Sequence, residues 1–385
     1  MKLKPSVFSE QNQKVNNNNY ISDDDIIYME DNLGRMQLSF NNSIYVNPLG
    51  QKSPINKDML VTGIVMGIKG IQRAAEVNVF EVQEMYSCLL PYQEKKVSIP
   101  YPLSTNFNQN QYDFQYYLQD NLENIGNFVI FTSGIHIDSK VDKFSLKMFT
   151  SILVGNSNLK KIMQNVNRVI IAGNVIEKVQ GLDYNLVGSY RCQDQFKNLY
   201  SEISQKMKDV DELISQLSYN TSLDIMPGEK DPTPMFLPQQ PINKCYFMQS
   251  INNKNLQCVT NPYKFEIDGI QFLGTSGQNV SDIKKYSSLN DNEIDILENN
   301  IYWRHMFPSA PDTLQCYPFG DQDNFIIDEL PHVYFSGNCS KFDTKLIYDE
   351  KVKSSCRLIC IPQLSVCKSF ILLNISNLDV FQIHL

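Results

Sequence analysis

The sequence predicts an α+β protein in two parts, and three observations carry that prediction. Short strand-like runs separated by Gly, Pro and Asn fill the N-terminal part, a stretch rich in Pro, Asn, Gln and Tyr runs from Pro91 to Gln119, and apolar runs then alternate with amphipathic helical segments. At 385 residues the chain exceeds the ~100–200 residues of one ordinary domain. The change of pattern divides it into 1–118 and 119–385.

In the first part, Ile26–Met29, Arg35–Phe40, Leu60–Ile68 and Glu76–Val82 read as strands of a small antiparallel barrel or sandwich. Met1 to Asn19 is polar, and its Asn16–Asn19 run reads as a loop. In the second part, Phe128–Phe131 and Val169–Ala172 are apolar runs that end in small residues, as buried strands delivering loops to a sheet edge do. Phe196, Leu199, Ile203, Met207, Val210, Ile214 and Leu217 recur at spacings of three and four. That spacing predicts a long helix whose single apolar stripe packs on the core. Ile267–Phe272, His332–Phe335, Ser355–Ile361 and Ser369–Leu373 read as further strands, the last ones close together and antiparallel.

Composition narrows the function. Hydrophobic residues at 42% and charged residues at 20% belong to a folded globular chain. The net charge of −8 opposes the basic surface that a phosphate backbone attracts, so tight direct DNA binding is not expected. Lys351, Lys353 and Arg357 read as a solvated face. No run reaches the ~18 apolar residues of a membrane span and no apolar signal-peptide core opens the chain, which reads as intracellular. The nine cysteines include no Cys-x-x-Cys pair and are read as reduced, mostly buried thiols, with no structural zinc site. Neither a Gly-x-x-x-x-Gly-Lys-Ser/Thr loop nor a Gly-x-Ser-x-Gly elbow is present.

The loops after the expected strands are the places for chemistry. Hydrolysis of phosphate esters by two cations requires Asp, Asn and His to converge there, because closely spaced cations need anionic bridges and neutral nitrogen donors. The loops here read Ser133-Gly134-Ile135-His136, Gly173-Asn174, Pro227-Gly228-Glu229-Lys230-Asp231-Pro232, Gly274-Thr275-Ser276-Gly277-Gln278-Asn279 and Ser336-Gly337-Asn338-Cys339-Ser340. Their order and spacing resemble the calcineurin-like metallophosphoesterase superfamily. Within it the chain is similar to the B subunits of replicative DNA polymerases. The runs at Met226–Thr233, Leu237–Pro241, Val259–Tyr263, Phe272–Asp282, Ala310–Leu314 and Pro331–Asn338 are similar to the delta-polymerase branch.

Carried over position by position, the resemblance implies that Gly134 stands where the first metal-ligating Asp would be, with His136 kept as its His. Asn174 takes the bridging Asp position, Glu229 and Lys230 those of the Asn-His pair, Ser276 that of a lone His, and Asn338 and Ser340 those of the last two imidazoles. One imidazole among those donors cannot hold two cations. The resemblance therefore implies no catalytic residue, no metal and no cofactor. It implies an oligonucleotide-binding (OB) barrel, N-terminally incomplete because Lys4–Val7 already resembles a mid-barrel loop, followed by an inactive αββα phosphoesterase sandwich. It also implies a nuclear scaffold in DNA replication. Such a scaffold holds the cysteine-rich C-terminal region of the polymerase delta catalytic subunit and a third, accessory subunit, and meets DNA only through the complex. A residual metal-dependent phosphodiesterase or 3′-exonuclease is the alternative. Glu229, Lys230 and Asp231 are expected in a surface turn, Gly274–Asn279 in a packed tight turn, and His305 and His332 as hydrogen-bonded structural histidines.

Overall fold

The computed structural model describes residues 25–31, 34–41, 43–47, 50–72, 78–94, 126–137, 143–155, 159–176, 193–288, 292–320, 322–349 and 354–385. The expected Asn16–Asn19 loop, the expected linker beyond Glu94, and Lys351 and Lys353 lie outside them. Two compact units form: the described residues of 1–94, 279–330 and 347–356 in the first, and those of 95–278, 331–346 and 357–385 in the second.

The first unit is built on a six-stranded sheet of β1 (Tyr28–Asp31), β2 (Gly34–Ser39), β3 (Ile44–Val46), β4 (Lys52–Pro54), β5 (Gly67–Gln72) and β6 (Val79–Tyr86). β6 is the hub: it pairs antiparallel with β5 and parallel with β2 and then β3 along its length. The sheet is therefore mixed and not wholly antiparallel as expected. The β5–β6 register shifts at Lys69/Gly70, where a Cβ on Gly70 would meet the Glu81 carbonyl oxygen at 2.1 Å. This bulge inserts one residue into β6, so the buried Val82 and Met85 are three apart and still share the apolar face with Leu38.

Two sequence expectations fail in this unit. Residues 60–66, seven of the nine in the expected Leu60–Ile68 strand, form a turn and irregular chain. Gly63 there has φ +82°, and a Cβ on it would meet the Pro308 carbonyl oxygen at 1.8 Å. β3 and β4 escaped notice because each has three residues and β4, Lys52-Ser53-Pro54, is wholly exposed. The unit also contains α4 (Gln278–Tyr286, from Asn279 onward) and α5 (Glu293–Trp303).

Two further sheets lie mainly in the second unit, residues 347–349 and 354–356 of their strands belonging to the first. One runs in the order β10 (Leu256–Cys258), β9 (Ser222–Met226), β8 (Val166–Ala172), β7 (Phe128–Thr132), β16 (Ser369–Asn374), β17 (Val380–His384). Its first four strands are parallel. The other runs β11 (Tyr263–Ile267), β12 (Ile270–Thr275), β13 (Val333–Cys339), β15 (Ser354–Pro362), β14 (Asp343–Asp349), with β12, β13 and β15 parallel.

Alternation along β7 explains how the layers assemble. Phe128 and Ile130 face a cluster with α1 (Lys143–Leu153), the short α2 (Lys160–Met163) and α3 (Gln193–Leu217). Val129 and Phe131 face a second cluster shared with Phe272, Phe335, Ile359 and Ile361 of the other sheet. Strands apolar on both faces read as continuous apolar runs, which is how they stood out in the sequence. The stripe of α3 is core as expected at Ile203, Met207, Val210, Ile214 and Leu217. Phe196 and Leu199 lie outside the described side chains.

Other expectations need correcting. The run Ile267–Phe272 spans the turn between two antiparallel strands, with Asp268 at φ 51° and Gly269 at φ 84°. Ser355–Ile361 and Ser369–Leu373 are not partners: β15 pairs parallel with β13, and β16 pairs antiparallel with β7 and β17. The short helix α6 (Leu364–Cys367) lies between them. The described cysteines are all free, but only Cys339, Cys356 and Cys360 are buried.

Phe131 lies at the centre of the inter-sheet core, 4.9 Å from the Phe335 ring and 6.3 Å from that of Phe272. Phe131→Ala is expected to cost about 3–5 kcal/mol, measured as a fall in the urea midpoint with the slope unchanged.

Candidate functional site

The ends of parallel strands β7, β8, β9, β12 and β13 bring five loops together in the second unit, and backbone shape rather than charge marks the place. Gly134, Gly173 and Gly277 have φ values of 58°, 82° and 96°, and His136, Asn174 and Asn338 stand at 51°, 56° and 55°. A left-handed conformation costs an L-residue roughly 1–2 kcal/mol, so such positions persist only where their surroundings over-determine them.

Asp231 supplies most of that restraint. It is 1% exposed. One carboxylate oxygen accepts the N–H groups of Gly228 at 2.7 Å and Asn174 at 2.8 Å, and the other those of Val175 at 2.9 Å and Ile176 at 3.3 Å. A single carboxylate thus fastens the loop after β8 to the loop after β9. Burial pushes its pKa up to about 6, against the pull of those four N–H groups toward the ionised form. Asn174 returns the link by accepting the Lys230 N–H at 3.0 Å. No side chain fits at Gly228, whose Cβ would lie 2.3 Å from the Asn174 nitrogen.

Asn338 joins three more segments. Its side-chain N–H groups donate to the carbonyls of Ala172 at 3.1 Å and Ser276 at 2.9 Å, and its backbone N–H donates to Ser133 Oγ at 2.9 Å. Ser276 Oγ donates to the Pro227 carbonyl at 2.5 Å, and Ser276 N–H to Asn261 Oδ1 at 3.1 Å. Behind them lies a knot of carboxamides. Gln239 donates to the Gly228 carbonyl and to Thr233 Oγ1, both at 2.9 Å, and Asn261 donates to Gln239 and Gln278. The Leu237–Pro238 and Asn261–Pro262 peptide bonds beside this knot are cis.

Gly134, His136, Asn174, Ser276, Asn338 and the backbone of Lys230 therefore do converge. Gly134 N–H donates to the Gly173 carbonyl and His136 N–H to that of Asn174. Glu229 and Ser340 do not join them: both are exposed, and the Ser340 carbonyl accepts from the Cys367 thiol. The expected surface turn holds for Glu229 and fails for Asp231, because its carboxylate accepts from four inward-pointing N–H groups. The packed turn expected at Gly274–Asn279 is confined to Ser276 and Gly277: Gly274 and Thr275 end β12, and Gln278 and Asn279 begin α4. His332 is fully buried with Nδ1 accepting the Gln271 N–H at 2.9 Å, and His305 Nε2 lies 2.8 Å from Asp323, so both are structural.

A pair of cations does not fit this donor set. Both oxygens of Asp231 are taken by N–H groups, and a Cβ at Gly134 would lie 2.8 Å from Gln363 Cγ and 2.9 Å from Asn338 Oδ1. Among the described residues, no three His, Cys, Asp or Glu side chains are placed to hold a metal ion. Sequence reasoning quoted the segments carrying Gln239, Asn261 and Gln278 but gave these residues no role. Gln239 and Asn261 each stand beside a Pro, but Gln278 does not, and no local pattern shared by the three marks them.

Fold and site together define a mixed α+β protein with an N-terminal six-stranded mixed sheet and a sheet-edge loop cluster tied by amides and one carboxylate. The chain matches the family of DNA polymerase alpha/epsilon B subunits over residues 129–344, and the DNA polymerase delta subunit OB-fold domain over residues 1–85. It belongs to this B-subunit family. Its relatives include the DNA polymerase delta small subunits of Oryza sativa subsp. japonica, 31% identical over 98% of this chain and 80% of the relative, and of Arabidopsis thaliana, 32% identical over 98% and 78%. DNA polymerase delta subunit 2 of Drosophila melanogaster is 30% identical over 98% and 78%.

Asp231→Asn replaces an acceptor-only group with one whose NH2 opposes the N–H donors, and is expected to cost about 2–4 kcal/mol at pH 7. Because the native pKa exceeds that of the unfolded chain, the carboxyl's own contribution is full at low pH and is lost as pH rises through about 6. The stability gap between wild type and variant should therefore widen as pH falls from 7 to 5 in paired urea titrations.

Proposed function

We propose that this chain is a non-catalytic accessory subunit of a nuclear DNA polymerase delta complex, acting in replication as a scaffold. The observation that carries the reading is the alignment to delta small subunits over 98% of the chain. In this reading the second unit is a calcineurin-like αββα core that has lost its metal chemistry. The domain division is 1–118 and 119–385, with the described residues of 279–330 and 347–356 of the second segment falling in the first compact unit. Gly134, His136, Asn174, Glu229, Lys230, Ser276, Asn338 and Ser340 are vestigial ligand positions, none catalytic and none holding a metal or cofactor.

The proposed partners are the cysteine-rich C-terminal region of the catalytic subunit and a third, accessory subunit, with DNA met through the complex. The net charge of −8 supports that indirect role. The chemistry of the loops supports the lack of turnover: one imidazole and several amides cannot deprotonate a metal-bound water.

Co-expression with the catalytic chain is expected to yield a stable complex by size exclusion. Recovery of this chain alone, with the catalytic chain folded and present, would sink the reading. Metal analysis of the purified protein should find less than one manganese or zinc per chain. Gly134→Asp should create no manganese site, and should lower stability by roughly 1–3 kcal/mol through its positive φ and the contact with Gln363.

A further inference from the structure

In the first unit, residues 87–94 and 304–330 are stitched together by backbone and guanidinium bonds. Leu330 N–H donates to the Tyr92 carbonyl, Ile327 N–H to that of Arg304, and the Arg304 guanidinium donates to the carbonyls of Leu89 and Leu90 at 3.0–3.2 Å. Tyr92 and Glu329 form a parallel bridge, and His305 and Ile326 an antiparallel one. This fixed framework presents Leu89, Tyr92 and Ile326 at 61%, 62% and 47% exposure. Large side chains held that far out gain little for folding, and three of them on one hydrogen-bonded frame are the kind of exposed apolar surface that partners cover.

The charge beside them has one sign. The described residues of these two segments carry the carboxylates of Glu94, Asp312, Asp323, Asp328 and Glu329, and Arg304 as their one Arg or Lys. The guanidinium is committed to backbone carbonyls, and Asp328 and Glu94 are exposed. We propose that this surface docks a basic polypeptide segment, one that lays aliphatic or aromatic side chains against the exposed Leu89, Tyr92 and Ile326 and sets Lys or Arg against Asp328 and Glu94. Resting on the accessory-subunit reading, the inference assigns that segment to another subunit of the same polymerase. An acidic or neutral partner would leave these carboxylates opposed or desolvated without compensation.

The experiment uses the full chain co-expressed with the catalytic and accessory polymerase subunits, with partner yield measured at 0.15 M (about physiological) and at higher salt. Tyr92→Ser with Ile326→Ser should keep the wild-type melting temperature and lower recovery of one partner about tenfold or more. Asp328→Lys, at an exposed position that leaves folding intact, should weaken the same partner, with the defect shrinking as salt rises. Phe144→Ser and Val366→Ser, equally exposed in the second unit, serve as controls and should change nothing. A folded double variant that retains both partners at wild-type yield overturns the proposal, as does an Asp328→Lys protein that binds as well or better. Failure of the wild type to recruit either partner sinks the accessory-subunit reading and this inference with it. A complex that forms normally around every variant sinks this inference alone.

Discussion

The constraint on which the sheet-edge loops depend is that Asp231 must be buried where four N–H groups point. Gly228, Asn174, Val175 and Ile176 each present a donor to one small volume closed to solvent. An orphaned buried N–H costs free energy comparable to the bond it lacks. The left-handed turn at Gly173–Asn174, the glycine at 228 and the inward path of the chain before Pro232 all follow from meeting that demand. Neighbouring loops are then fixed in series. Asn174 accepts from Lys230, Ser276 donates to Pro227, and Asn338 donates to Ser276 and Ala172.

This arrangement stands on a sandwich that leaves little freedom to the strand ends. β7 and β8 bury both faces, one against helices and one against the second sheet, so a slip of one residue would exchange the two cores. Register is therefore specified twice over, and the loops leave the sheet edge at fixed heights. The first unit is different. Its six-stranded sheet buries only the small cluster of Leu38, Val82 and Met85 with half-buried neighbours and takes its register from the bulge at Gly70, while α4 and α5 bury Ile283, Ile296, Leu297 and Ile301.

Much of the second unit was legible because buried parallel strands are continuous apolar runs and α3 carries an unbroken three–four spacing. The first unit was less so. β3 and β4 are too short to show a period, and the Leu60–Ile68 run is apolar because its side chains pack from a turn, which periodicity cannot distinguish from a strand. At the site, the sequence gathered Gly134, His136, Asn174, Ser276 and Asn338 correctly through loop position. It misplaced Asp231, because Glu-Lys-Asp-Pro reads as a solvated turn whenever the donors that require the acid come from a segment 55 residues or more away. Gln239, Asn261 and Gln278 were hidden for the same reason: the bonds that join them to one another and to Ser276 span 15 to 39 residues, and no local pattern encodes them.

On the proposed reading, the replacements at the ligand positions are coupled rather than independent losses. Once no cation is held, each carboxylate kept at the loop edge is a buried charge without a counter-ion, which costs several kcal/mol. Neutral groups of similar shape remove that cost and can still bond. Asn174 keeps an oxygen for the Lys230 N–H, and Asn338 supplies donors to two carbonyls. Gly134 removes the side chain altogether, into space that Gln363 and Asn338 now fill. Of the two acids in the loop after β9, Glu229 is exposed to solvent, and the buried Asp231 has its charge met by N–H dipoles. A loop cluster held by such bonds keeps its shape without cofactor occupancy, which is the physical requirement for a surface that other subunits must recognise at any metal concentration.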